Sequence, residues 1–335
     1  MKPKAVYLSS PANPSVFRVF SEDLRAGLAQ RVDLYPTFLD KDNVAVHEAA
    51  AHDAIFAFST WGMPAFSEEE IRQYFPQMKV LFYAAGSVQN FARPFLNRGI
   101  QVISAAAANA VPVAEYTTAQ ILLANKGFYQ NTRLIRTDRE TARVYSAVFP
   151  GNHRVKVGLL GAGAIGSRVI TLLKPFDLEV LVFDPFLPDG QAQAWGVKKT
   201  SLDDIFTHCQ TISNHLANLP ATRGMINKDH FSRMLPNATF INTGRGAQVI
   251  ESDLVEALRQ EPGRTAVLDV TDPEPPLPDS PLLSLDNVFL TTHIAGSSGR
   301  EVWRMAEYVI ADFDRYLRHE PMQLAVTLKM LETMA

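Results

Sequence analysis

The chain holds 335 residues, of which 47% are hydrophobic and 20% charged, with a formal net charge of −3. These values describe an ordinary globular chain, long enough for two domains of roughly 150 residues each. They offer no electrostatic basis for binding nucleic acid or an anionic membrane, and the only cysteine, Cys209, excludes an intrachain disulfide or a thiolate-bound zinc cluster. The N-terminus carries Lys2 and Lys4, but residues 5–8 (AVYL) are too short a run for a signal-peptide core and read as a first β-strand. No stretch approaches the roughly 18 uninterrupted apolar residues of a bilayer span, so a cytoplasmic location is expected.

Along the first hundred residues, short apolar runs alternate with helical patterns. Residues 5–8, 54–58 (AIFAF), 80–85 (VLFYAA) and 101–104 (QVIS) are strand candidates. Ser67, followed by Glu68-Glu69-Glu70, forms a capping box ahead of a helix. Strands alternating with helices predict a parallel sheet covered on both faces. Residues 113–130 (VAEYTTAQILLANKGFYQ) are the strongest long-helix candidate. The arginine-rich segment from Asn131 to Arg143 reads as a solvated helix, and the residues around Pro150 as a connecting loop.

A second α/β series starts at residue 156. Its strand candidates are residues 157–160, 180–183, 211–216, 239–242, 265–270 and 288–293, and a last helix is expected from about Ser298 to Leu317. Cys209, at the entry to one of these strands, reads as a small core residue. Residues 157–170 (VGLLGAGAIGSRVI) join an apolar run, a G-x-G-x-x-G turn and the start of a helix, and the next apolar run ends on Asp184. This is the pattern of a dinucleotide-binding turn. Gly161 permits the tight turn, Gly163 lets the backbone approach a pyrophosphate, and Gly166 lets the helix pack close to the sheet. Asp184 would accept hydrogen bonds from the ribose hydroxyls and repel a 2′-phosphate, which points to NAD.

Ligands of open α/β sheets bind outside the carboxyl ends of the strands. Three strand ends of this series carry chemically unusual residues: Thr243-Gly244-Arg245-Gly246, Thr271-Asp272-Pro273-Glu274-Pro275, and His293 followed by Ile294-Ala295-Gly296. An arginine, a carboxylate and a histidine are therefore expected to converge on one crevice beside the nicotinamide.

These stretches resemble the D-isomer-specific 2-hydroxyacid dehydrogenase family. The match is carried by GLLGAGAIG (158–166) with VFDP (182–185), ATRGMIN (221–227), FINTGRGAQVIE (240–251), and LDVTDPEP (268–275) with HIAG (293–296), and residues 79–117 extend it into the first series. The resemblance implies an α/β fold of two Rossmann-like, flavodoxin-like domains with parallel sheets, the cofactor domain inserted into the substrate domain. The substrate domain would comprise residues 1–110 and 299–335, and the NAD-binding domain residues 111–298. It also implies a homodimer, with the helix after Pro112 at the contact.

Residue by residue, the family's catalytic arginine falls on Arg245, its carboxylate on Glu274 and its acid/base on His293. A histidinium can protonate the alkoxide formed by hydride transfer, Glu274 would orient and stabilise it, and Arg245 would hold the substrate carboxylate. Backbone N–H groups around Ala85, Gly86 and Ser87 would hold the other carboxylate oxygen, and Asp269 would face the nicotinamide carboxamide. Around the cofactor the resemblance also places Thr117, Ala164, Ile165, Pro185, His215, Thr243, Gly244, Ala295 and Gly296. No metal is expected.

The chain departs from the family at residues 84–90 (AAGSVQN), where the family usually has a glycine-rich turn followed by an acid or amide, at Ala164, where it often has an arginine, and at Ala217-Asn218, where a Pro-Leu pair is common. Trp61, within Ser59-Thr60-Trp61-Gly62-Met63-Pro64, would either cap the substrate or pack between domains. Residues 59–64 and 84–90 hold no lysine or arginine, so the expected substrate is a small monocarboxylic 2-keto acid reduced with NADH. The alternative is an NAD(H)-sensing, corepressor-like binding protein of the same fold. Formate oxidation is disfavoured, because related formate dehydrogenases carry glutamine at the position of Glu274.

Overall fold

A computed structural model describes residues 2–13 and 15–334. The chain divides into two compact units, Met1–Ala110 with Ser297–Ala335, and Val111–Gly296. In chain order the strands are β1 Lys4–Tyr7, β2 Asp33–Leu34, β3 Phe56–Ser59, β4 Val80–Tyr83 and β5 Gln101–Ser104, then β6 His153–Leu160, β7 Asp177–Phe183, β8 Lys198–Lys199, β9 Thr211–Asn214, β10 Thr239–Asn242, β11 Thr265–Leu268, β12 Val288–Leu290, and finally β13 Ala325–Val326. The fold is α/β with two predominantly parallel sheets, the class expected from the sequence.

The first unit has strand order β13-β5-β4-β3-β1-β2. All pairings are parallel except β13 with β5. Strands β3 and β4 are buried at every position, as expected of apolar runs in a parallel sheet covered on both faces. Helix Glu301–Leu317 buries Val302, Met305, Ala306, Val309, Ile310 and Phe313 in the core of this unit. The Phe313 ring meets Phe58 and Phe82 edge-on, each at 5.5 Å. The buried Asp312 carboxylate accepts from the N–H groups of Gln323 and Leu324, at 3.0 and 2.7 Å, and so turns the chain into β13.

The second unit has strand order β12-β11-β10-β9-β6-β7-β8, all parallel. The order reverses beside β6, the strand that leads into the glycine turn, which is where an open α/β sheet binds its ligand. Cys209 is fully buried, and burial pushes its thiol pKa up to about 12, so it is a core thiol.

Several expected bounds shift. The long helix runs Ala106–Asn125, beginning in the alanine-rich run before Pro112, and Gly127 (φ +67°) separates it from a second helix, Phe128–Leu134. A Cβ on Gly127 would lie 2.2 Å from the Phe149 ring, so both its φ and its neighbour demand glycine. Strands expected at 211–216, 265–270 and 288–293 stop at Asn214, Leu268 and Leu290. The chemically interesting residues after them therefore lie on loops. The two-residue strands β2, β8 and β13 are too short to show a period in sequence. Among the described residues no helix is long and apolar enough to cross a membrane.

Candidate active site

In the second unit, β6 delivers the chain into the glycine turn. Gly161 has φ +92°, and a Cβ there would lie 2.9 Å from the His215 carbonyl oxygen. A Cβ on Gly166 would lie 2.1 Å from the Gly161 carbonyl oxygen, so the start of helix Gly166–Leu173 sits directly on the turn. At Gly163, by contrast, a Cβ would meet nothing within 4 Å. Among the described residues the N–H groups of Gly163, Ala164 and Ile165 have no acceptor. Open space, unpaired donors and a helix N-terminus together fit a pyrophosphate.

Asp184 follows β7. Its Oδ2 accepts from Ala162 N at 2.7 Å and its Oδ1 from Phe186 N at 2.8 Å. One backbone donor on each oxygen leaves lone pairs for ribose hydroxyls. Pro185 beside it is exposed. Thr117, Thr243 and His215 are buried and joined to one another: the threonine hydroxyls lie 3.2 Å apart, and the His215 ring contacts Thr243 at 3.3 Å and the Ser213 hydroxyl at 3.0 Å. Burial drives the His215 pKa down from 6.5 to about 3, so the ring is neutral.

Arg245 lies on the turn after β10, and a buried amide network that sequence reasoning missed holds it there. Asn214 donates to the side-chain oxygens of Asn242 and Gln248, and Gln248 Nε2 donates to Leu216 O at 2.6 Å. Gln248 Oε1 accepts from Arg245 N at 3.2 Å, and Asn242 spans the turn by accepting from Gly244 N at 3.0 Å and donating to Arg245 O at 3.1 Å. Gly246 fits against the backbone of Thr271, where a Cβ would lie 2.0 Å from the carbonyl carbon. That contact joins the Arg245 turn to the loop bearing Glu274. Burial lowers the guanidinium pKa, and the negative charge of Glu274 opposes that shift.

His293 Nδ1 lies 2.7 Å from Glu274 Oε1, with both side chains partly exposed. His293 has φ +60°, uncommon for a residue with a Cβ. The carboxylate of Asp269 organises its loop: Oδ1 accepts from the Thr291 hydroxyl at 2.6 Å and Ile294 N at 2.7 Å, and Oδ2 from Ala295 N at 3.0 Å. Asp269 is thus the buried support of the His293 loop, a role its position in the sequence does not reveal. Ala295 is buried and Gly296 half-buried at the end of this loop. The second unit therefore brings together Arg245, Glu274, His293 and the glycine turn along the carboxyl edge of one sheet.

The remaining candidates belong to the first unit. In the turn after β4, the N–H groups of Ala85, Gly86, Ser87 and Val88 have no acceptor among the described residues. Ser104 Oγ donates to Gly86 O at 2.7 Å, fixing the peptide orientation. Gln89, at the departure from the family pattern, donates through Nε2 to Leu331 O and Met334 O at 2.8 and 2.7 Å, tying this turn to the final segment. Trp61 is half-buried against the core of this unit, with Arg18 over its ring.

Residues 118–295 match the family model for "D-isomer specific 2-hydroxyacid dehydrogenase, NAD binding domain". The chain is 32% identical over 240 residues to D-3-phosphoglycerate dehydrogenase of Methanocaldococcus jannaschii, covering 70% of this chain and 45% of that protein. It is 29% identical over 289 residues to D-3-phosphoglycerate dehydrogenase of Archaeoglobus fulgidus, covering 86% and 54%. It thus spans about half the length of these relatives. The solved structure of apo D-mandelate dehydrogenase from Rhodotorula graminis is similar with a TM-score of 0.80 over 97% of this chain and 98% of that one, at 20% identity, which shows a shared fold. With the family model covering more than half of it, the chain belongs to the D-isomer specific 2-hydroxyacid dehydrogenase family, and its cofactor is NAD.

Proposed function

We propose that this protein is an NAD-dependent oxidoreductase that interconverts a 2-keto acid and the corresponding D-2-hydroxy acid. The observation that carries the reading is the 2.7 Å contact of His293 Nδ1 with Glu274 Oε1, in the unit that binds NAD. NADH, when bound, supplies the hydride. In reduction the substrate's keto oxygen gains negative charge, and His293 as imidazolium donates its Nε2 proton there. Glu274 accepts from Nδ1–H, which fixes the ring's orientation and leaves Nε2 facing the substrate's keto oxygen in this reading. Arg245 presents a planar fork of donors that binds the substrate carboxylate and polarises the keto oxygen. In oxidation the neutral His293 ring receives the hydroxyl proton instead.

The test is loss of NADH absorbance with a panel of 2-keto acids, each repeated with NADPH. Turnover of at least one acid, with higher kcat/KM for NADH than for NADPH, is expected, because Asp184 stands where a 2′-phosphate would be repelled. NADH binding without turnover of any keto acid would instead support the sensing role.

The same reading makes the partner a second copy of the chain. Leu123, Phe128, Ile135, Val144 and Val148, all in the stretch from helix Ala106–Asn125 to the loop before β6, are apolar and exposed. Light scattering coupled to size exclusion should give twice the 37.1 kDa chain mass. A monomer at micromolar concentration would overturn this assignment.

A further inference from the structure

In the first unit β4, β3 and β1 are consecutive neighbours and run parallel, so their carboxyl ends share one edge. Adjacent strands are about 4.8 Å apart. The turn after β4 offers the unpaired N–H groups of residues 85–88. The loop after β3 brings Trp61, and the loop after β1 leads into helix Ser15–Val19, which carries Arg18.

The Arg18 guanidinium carbon lies 5.2 Å from the centroid of the Trp61 ring. Asn13 fixes the two loops to each other: its Nδ2 donates to Trp61 O at 2.7 Å, and its Oδ1 accepts from Ser15 N at 2.9 Å. Stacking uses the face of a guanidinium and leaves its N–H donors free in the plane. The neighbouring Arg25 shows what a structural arginine does in this fold. It covers the Phe17 ring at 4.7 Å and also donates to Phe20 O at 2.6 Å. Arg18, among the described residues, has the aromatic platform but neither a hydrogen-bond acceptor nor a carboxylate partner.

We propose that Arg18, held on Trp61, binds a second carboxylate carried by the substrate, which makes the substrate class dicarboxylic 2-keto acids. The inference rests on the oxidoreductase reading above. It revises the monocarboxylic acid expected from residues 59–64 and 84–90, which hold no cation; the cation comes from a distant part of the chain. The unpaired N–H groups after β4 suit one carboxylate, and Arg18, on the same strand edge, suits another. A single guanidinium with no lysine or second arginine in either loop matches the one charge of a carboxylate better than the two of a phosphate.

The experiment compares 2-oxoglutarate, its neutral analogue 2-oxopentanoate, and 3-phosphohydroxypyruvate in the NADH assay. The native protein should favour 2-oxoglutarate over 2-oxopentanoate by about tenfold or more in kcat/KM, and Arg18→Gln should bring that ratio to about one, mainly through KM. Trp61→Leu, which removes the platform, should lower the ratio in the same direction. An unchanged ratio in Arg18→Gln, a native preference for 2-oxopentanoate, or a clear preference for the phosphorylated acid would overturn the assignment and leave the oxidoreductase reading standing. If no keto acid is reduced, that reading fails and binding decides. Glutarate should then quench tryptophan fluorescence in the native protein but not in Arg18→Gln, and an equal or absent response overturns the assignment.

Discussion

His293 adopts φ +60° because its neighbours are held there: Asp269 takes the N–H groups of the two residues that follow it. Residues with such backbones cluster at functional sites, where surrounding structure over-determines them. His293→Asn should lower kcat/KM for keto-acid reduction roughly 10²–10⁴-fold, the range of a lost general acid, with NADH affinity by fluorescence titration little changed. Glu274→Gln keeps a hydrogen-bond acceptor but loses the charge, and a drop of roughly 10–100-fold is expected. Near-native turnover of the His293 variant would place the proton donor elsewhere. The glycine turn offers a paired test of a different kind. Gly166→Ala sets a Cβ against the Gly161 carbonyl oxygen, which cannot yield, and should destabilise by about 1–3 kcal/mol in urea unfolding. Gly163→Ala meets open space, so stability should hold while the Kd for NADH rises. Equal stability of the two variants would contradict the packing described.

Arg245 owes its place to an element rather than to itself. The turn after β10 is held by the side chains of Asn214, Asn242 and Gln248, all buried, and each of their hydrogen bonds needs the others in register. Gln248→Leu removes the acceptor for Arg245 N and for the Asn214 amide. Leaving buried donors unpaired costs about 1–3 kcal/mol, so both stability and substrate handling should suffer. The expected signature is a raised KM for the keto acid with an unchanged Kd for NADH, because the glycine turn lies on another strand end. A stability loss with native KM would limit the network to structural support.

For the molecule as a whole, pH tests the buried imidazole of the NAD-binding unit. His215 has its pKa lowered by burial to about 3, against an ordinary value near 6.5. The unfolded chain therefore takes up a proton below about pH 6.5 that the folded unit refuses until about pH 3. The stability this neutral ring contributes is complete above 6.5 and is lost as pH falls through that window. His215→Asn should reduce the pH slope of the unfolding free energy between pH 6.5 and 4 by about one proton. Of the chain's three tryptophans only Trp195 lies in this unit, so its fluorescence in a Trp61→Phe, Trp303→Phe background follows the transition. An identical slope in the variant would show that His215 is protonated in the folded state.

What could be read from the chain alone was local and periodic. The glycine spacing and Asp184 disclosed the dinucleotide turn, because strand, turn and helix follow one another within about thirty residues and each glycine answers a backbone requirement. The buried runs of β3, β4, β9 and β10 disclosed parallel sheets for the same reason. Tertiary structure decided what depends on residues far apart in the chain. No local pattern sets Arg18 over Trp61, joins Asn214 to Gln248, or turns Asp269 toward the loop of His293. Such contacts arise only when parallel strands bring their carboxyl ends to one edge, so the order of strands in the sheet, which propensity and spacing do not encode, selects the neighbours.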